Sequence, residues 1–82
     1  MTRDEIRTAV LHALTSVAPE IDPQRLDPDS VFRQAYDLDS MDVLNFMIAL
    51  HASLDVDVPE SDYVKLASLN SAVDYLAGRL TS

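Results

Sequence analysis

Three prolines, Pro19, Pro23 and Pro28, fall within ten residues of one another. Each ring removes a backbone donor and disfavours helical geometry in the residue before it. No helix runs through that stretch. On either side of it, apolar residues recur at helical spacing. The chain is therefore read as helices joined by one long connection, and the question is what a connection of that length is for.

Thr2-Arg3-Asp4-Glu5 has the form of a capping box, threonine accepting from the third helical position and glutamate reaching back. Ile6, Val10, Ala13, Leu14 and Val17 then line one face of a first helix. Arg3, Arg7 and His12 lie off that face, and His12 is expected to be solvated. Pro19 ends the helix at Ala18. From Ala18 to Asp39 no helical period is sustained. A connection of about 20 residues far exceeds the ordinary length of roughly 4–6 and reads as an ordered functional loop. Ile21, Leu26, Val31 and Phe32 are its expected anchors. One helical turn is expected near Asp29 to Gln34, capped by Asp29 or Ser30.

The second helix begins at Asp39 or Ser40, both good N-caps, and runs to about Leu54. Asp39 and Asp42 place negative charge at the positive end of its dipole. At about 100° per residue, Val43, Phe46, Met47, Leu50 and Leu54 form a core stripe. Met41, Leu44 and Ile48 form a second stripe on roughly the opposite side, flanked by Asp42, Asn45 and His51. A helix in a small domain does not easily bury two opposite faces. The second stripe is expected to be exposed and to mark a partner surface. Asp55-Val56-Asp57-Val58-Pro59 is too short and isolated for a sheet and reads as an extended linker. Ser61 is expected to cap a short turn carrying Tyr63, Val64 and Leu66. Ser68 is expected to cap a last helix with Leu69, Ala72, Val73, Leu76 and Leu80 on one face and Arg79 in its last turn.

The expected fold class is all-α. Residues 1–82 are read as a single domain, a small four-helix bundle of three main helices plus a short third helix. A long loop joins helices 1 and 2. An apolar fraction of 48% supports a core, though one too small for an obvious substrate cavity.

Composition closes several doors. There is no cysteine, hence no disulfide, thiolate metal site or cysteine nucleophile. The single glycine, Gly78, excludes a glycine-rich phosphate loop. No apolar run approaches the ~20 residues of a membrane span, and Met1 to Glu5 lacks the apolar core of a signal peptide. A cytoplasmic protein without membrane insertion is expected. Six basic against fourteen acidic residues give a net charge of −8. Such a chain repels nucleic acid and steers basic partners toward itself.

Ser40, between Asp39 and Met41-Asp42, could cap the helix, act as a nucleophile or serve as an attachment point. A triad with His51 fails: eleven residues along one helix is roughly 16 Å. No Gly-x-Ser-x-Gly elbow is present. An enzyme is not expected. Two histidines are too few for a histidine cage. The acid pairs Asp37/Asp39 and Asp55/Asp57 do not continue as a calcium loop, which needs glycine at the sixth position and glutamate at the twelfth. Counted from Asp37 those are Asp42 and Ile48, and from Asp55 they are Glu60 and Leu66. No metal site is expected.

The chain resembles the acyl carrier proteins. Asp39-Ser40-Met41 is similar to the family's Asp-Ser-Leu attachment motif. The likeness extends to the first helix, the long loop, Val56-Asp57-Val58-Pro59 before a short third helix, and Leu69 to Leu76 in the last. It implies that Ser40 carries 4′-phosphopantetheine through a phosphodiester, supplied from coenzyme A by a phosphopantetheinyl transferase. The arm's thiol, and no residue of this chain, would hold the acyl group as a thioester. The chain would be a non-catalytic carrier, presenting that group to acyl-loading and acyl-transferring enzymes with basic patches. Asp39, Met41, Asp42, Leu44, Asn45 and Ile48 would form the partner surface, with the chain a monomer. Asp37 stands where the family often has glycine, a departure that bears on recognition by a given transferase. Asn45, His51 and Ala52 stand where glutamate is common, and these three imply a specialised lipid, secondary-metabolite or amino-acid pathway rather than housekeeping fatty acid biosynthesis. The rival reading is a carrier-like interaction module that is never modified.

Overall fold

The capping signals position the helices. In the computed structural model, which describes residues 1–80, Thr2 accepts from the Glu5 amide at 3.1 Å. The Thr2 amide donates to Glu5 Oε1 at 2.8 Å. This reciprocal box opens α1, Arg3–Val17. The Thr2 backbone and hydroxyl together hold the Glu5 carboxyl below its ordinary range. Helix α3, Ser40–Leu54, opens on a second box, and α4, Leu69–Leu80, on Ser68, whose hydroxyl accepts from the Ser71 amide at 3.2 Å.

The three long helices bury the faces that their spacing assigns. Ile6, Val10, Ala13 and Leu14 of α1 meet Phe46, Met47, Leu50 and Leu54 of α3 and Leu69, Ala72, Val73 and Leu76 of α4 in one core. Helix α1 is the common element, packed on both α3 and α4. Between α3 and α4 lie an extended linker and a 3₁₀ helix, Glu60–Leu66, which packs on α4. The described residues form no strand, and the all-α bundle is the fold observed. No helix among them is long and apolar enough to cross a membrane.

The long loop is ordered by anchors and by a few well-placed hydrogen bonds. Ala18, Ile21, Leu26 and Phe32 are buried. The Phe32 amide donates to the Ala67 carbonyl at 2.8 Å, and the Asn70 amide to the Pro28 carbonyl at 2.9 Å. Asn70 Nδ2 donates to Asp29 Oδ1 at 2.8 Å. The loop is thus sewn to the start of α4. Phe32 also meets Phe46 edge-on, with ring centroids 5.7 Å apart, a favoured aromatic geometry.

Several local expectations are corrected. The loop's helical turn, α2, is Phe32–Ala35, begins at Val31 and has no side-chain cap. Asp29 is drawn instead to Asn70. Val31 is 39% exposed and is no anchor; Leu38 takes that place at 8%. The 3₁₀ helix starts after Pro59 without a side-chain cap, so Ser61 does not cap it. With three residues per turn, positions three apart eclipse. That aligns half-buried Tyr63 with buried Leu66 and turns Val64 outward, 76% exposed.

Candidate functional site

Helix α2 ends with Asp37 in the left-handed region, φ 53°, and the Leu38 amide donates back to the Arg33 carbonyl at 3.1 Å. This closes the helix in the manner of a Schellman turn, with Leu38 buried beyond it. Glycine is the usual residue here. Aspartate is among the few others that adopt this conformation readily, and the tight turn is retained in its absence. The chain leaves that turn directly into α3, which brings Arg33 back beside Ser40.

Ser40 is the first residue of α3 and does not cap it. The cap is Asp39, whose Oδ1 accepts from the Asp42 amide at 2.8 Å, while the Asp39 amide donates to Asp42 Oδ2 at 3.2 Å. Of the three roles open to Ser40 in the sequence, capping therefore falls to its neighbour. Its hydroxyl is left outside the box on an exposed residue. Among the described residues one side-chain hydrogen bond reaches it: Arg33 Nη2 donates to Ser40 Oγ at 3.3 Å. Neither histidine hydrogen-bonds to it. His51 lies near the other end of α3, its Nδ1 3.1 Å from the Val56 carbonyl and 3.2 Å from an Asp57 carboxylate oxygen, where it ties the helix end to the linker.

Of the other expected partner residues, Met41, Leu44 and Ile48 share the outer face of α3, with Asp42 and Asn45 along its edge and Asp39 at the N-cap. Met41, Leu44 and Ile48 are 61%, 41% and 55% exposed. Asp39 and Asn45 are exposed and Asp42 is half-buried. The box occupies one oxygen of each aspartate, so both acids serve the helix as well as its surface.

Four residues at the site had no role assigned from the sequence. Arg33, Glu60 and Tyr63 share an open cleft with Ser40, Met41 and Leu44, and Val64 adds an exposed apolar side chain from the 3₁₀ helix. The eclipsing of residues three apart would have found Val64. Arg33 carries no comparable signal, because its approach depends on the Asp37 turn. The structure also shows a cavity that the sequence did not signal. A partly open cavity of about 310 Å³ lies between α2, α3 and the 3₁₀ helix, lined by Phe32, Leu38, Val43, Phe46 and Leu66 among others. The edge-on Phe32–Phe46 pair forms part of its wall, and the 3₁₀ helix beside it packs on α4.

Residues 9–76 match the profile of the family described as "Phosphopantetheine attachment site". The chain belongs to that family. It is similar to the acyl carrier protein of Chlorobium luteolum, 29% identical over 76 residues, covering 93% of this chain and 96% of that one. It is also similar to the acyl carrier protein of Rubrobacter xylanophilus, 24% identical over the full length of both. The mitochondrial acyl carrier protein of Saccharomyces cerevisiae is 24% identical over 80 residues, 94% of this chain and 64% of that one. The chain is thus a non-catalytic acyl carrier whose covalent cofactor is 4′-phosphopantetheine. The family works with a phosphopantetheinyl transferase and with enzymes that load and remove acyl groups. The arm supplies the thiol that this cysteine-free chain lacks. Its attachment requires an accessible hydroxyl, and the geometry around Ser40 meets that requirement.

Proposed function

We propose that Ser40 bears the arm, and that the face formed by Asp39, Met41, Asp42, Leu44, Asn45 and Ile48 is what partner enzymes grip. The observation that carries this reading is the Ser40 hydroxyl. It stands exposed at the start of α3, outside the Asp39–Asp42 box and beside an uncovered apolar stripe. In attachment, Ser40 Oγ bonds to the phosphorus that bears the pantetheine of coenzyme A. The pyrophosphate P–O bond breaks, adenosine bisphosphate leaves, and the hydroxyl proton passes to a base on the transferase. A surface with net charge −8 favours transferases and acyl-handling enzymes with basic patches.

The chain is read as a one-domain, monomeric, cytoplasmic carrier for a specialised lipid, secondary-metabolite or amino-acid pathway. Asn45, His51 and Ala52 give the α3 surface fewer acids than a general fatty-acid carrier presents. Incubation with coenzyme A and a broad-specificity transferase, followed by intact mass, tests the attachment. One added phosphopantetheine, absent in Ser40→Ala, is expected. No gain with several transferases would leave the unmodified interaction module. A reconstituted fatty-acid synthase tests the pathway. Turnover well below that with a housekeeping carrier is expected, and comparable turnover would overturn the specialised role.

A further inference from the structure

Arg33 is the feature of this site that the carrier function does not yet use. Six residues of the chain are basic. Arg3, Arg25 and Lys65 each pair with a carboxylate, and Arg79 donates to the Asp57 carbonyl. Arg33, like Arg7, pairs with no carboxylate among the described residues, although Glu60 lines the same cleft. Its guanidinium is spent on a neutral hydroxyl, that of Ser40, at 3.3 Å. A permanently charged planar fork matched to paired oxygens of an anion gains little from such a partner.

The arm changes what the guanidinium faces. Once Oγ becomes an ester oxygen, one negative charge is shared by the two free oxygens on the phosphorus next to it. Asp39 and Asp42, one residue before Ser40 and two after it, repel that charge. Arg33 is the cation within reach. Resting on Ser40 as the attachment point, we infer that Arg33 is a positioning residue that pairs with the phosphodiester. It thereby turns the root of the arm into the cleft formed by Arg33, Met41, Leu44, Glu60 and Tyr63. The Asp37 turn serves this purpose as well as ending α2, because it sets Arg33 beside Ser40 seven residues on.

The test uses the full chain, loaded from coenzyme A and checked by intact mass. The phosphorus NMR resonance of the phosphodiester is followed from low to molar salt in wild type, Arg33→Gln and Arg33→Lys, with circular dichroism on each. Surface ion pairs are screened by salt. The wild-type resonance is expected to move with salt, that of Arg33→Gln to stay near the wild-type high-salt position, and that of Arg33→Lys to fall between. Coincident wild-type and Arg33→Gln resonances at every salt concentration, with unchanged circular dichroism, would overturn the pairing. A second readout is made on the wild type, with a variant used only to assign the signal. Of the five arginine side-chain Nε–H signals, the one missing from Arg33→Lys is expected to shift on loading of the wild type, and its standing still would equally overturn the pairing. Absence of any mass gain would instead defeat the Ser40 reading itself, and the inference with it.

Discussion

Helix α3 has two unlike sides. Toward α1 it is sealed: Leu50 meets Ile6, Val10 and Leu14 in a region where all four are 0% exposed. Toward the 3₁₀ helix it is open, bordered by the cavity of about 310 Å³ and a smaller one of about 180 Å³. Met41, Leu44 and Ile48 also lie uncovered. A small carrier of this kind divides its labour between two seams. One seam buries the inner face of α3 in the core, and the other leaves its start and outer face exposed. Attachment at Ser40, as proposed, would cost the fold little, because it would use surface that the core does not need.

The largest expected effect breaks the sealed side. Leu50→Ala should cost about 2–5 kcal/mol by leaving a cavity among fixed neighbours. Val43→Ala, half-buried against existing space, should cost about 1 kcal/mol. Denaturant midpoints compare the two, and equal losses would erase the distinction between the seams.

Next comes the open side. Leu44→Asp should leave stability within about 0.5 kcal/mol. It should cut kcat/KM for transferase loading about tenfold, or ~1.4 kcal/mol of contact energy. Steady-state loading and a thermal melt give both numbers. A folded variant loaded at the wild-type rate would remove the stripe from the partner surface.

The turn that delivers α3 provides a smaller effect. Asp37→Gly should stabilise by up to about 1 kcal/mol, since glycine meets φ 53° without steric cost. Asp37→Val should destabilise. Chemical denaturation of both variants checks the signs.

The smallest effect concerns the tether between the 3₁₀ helix and α4. Tyr75 donates to Asp62 Oδ2 at 2.7 Å. That hydrogen bond holds the Asp62 carboxyl below its ordinary range, and with burial raises the Tyr75 hydroxyl above its own. Stabilisation from the lowered acid is complete above about pH 4, its unfolded value, and is lost as pH falls through the folded one. Stabilisation from the raised phenol is complete below about pH 10 and is lost as pH rises through its folded value. Tyr75→Phe should therefore lower the thermal midpoint slightly near neutrality, by an amount that shrinks at both extremes. A difference independent of pH would deny the hydrogen bond its role.

Much of this was legible in the residues. The long helices, the Thr2 and Ser68 caps and the exposed stripe follow from spacing and capping chemistry, which are local. The attachment residue was narrowed by the family likeness as much as by geometry. What sequence missed depends on meetings between distant segments. Asp29 is drawn to Asn70, forty-one residues away, which no local capping rule anticipates. Val64 was given no face, because its outward turn follows from the three-residue period of a 3₁₀ helix. Arg33 meets Ser40 only because Asp37 takes a left-handed conformation. His51, a departure from the usual glutamate, proves to have structural work at the end of α3.

The proposed arm is borne at the first residue of α3 and nowhere else. Fragmentation mass spectrometry of the loaded protein locates it. Phosphopantetheine is expected on the fragment containing Ser40 alone. Modification of another serine, such as Ser30 or Ser61, or loading that persists in Ser40→Ala, would contradict it.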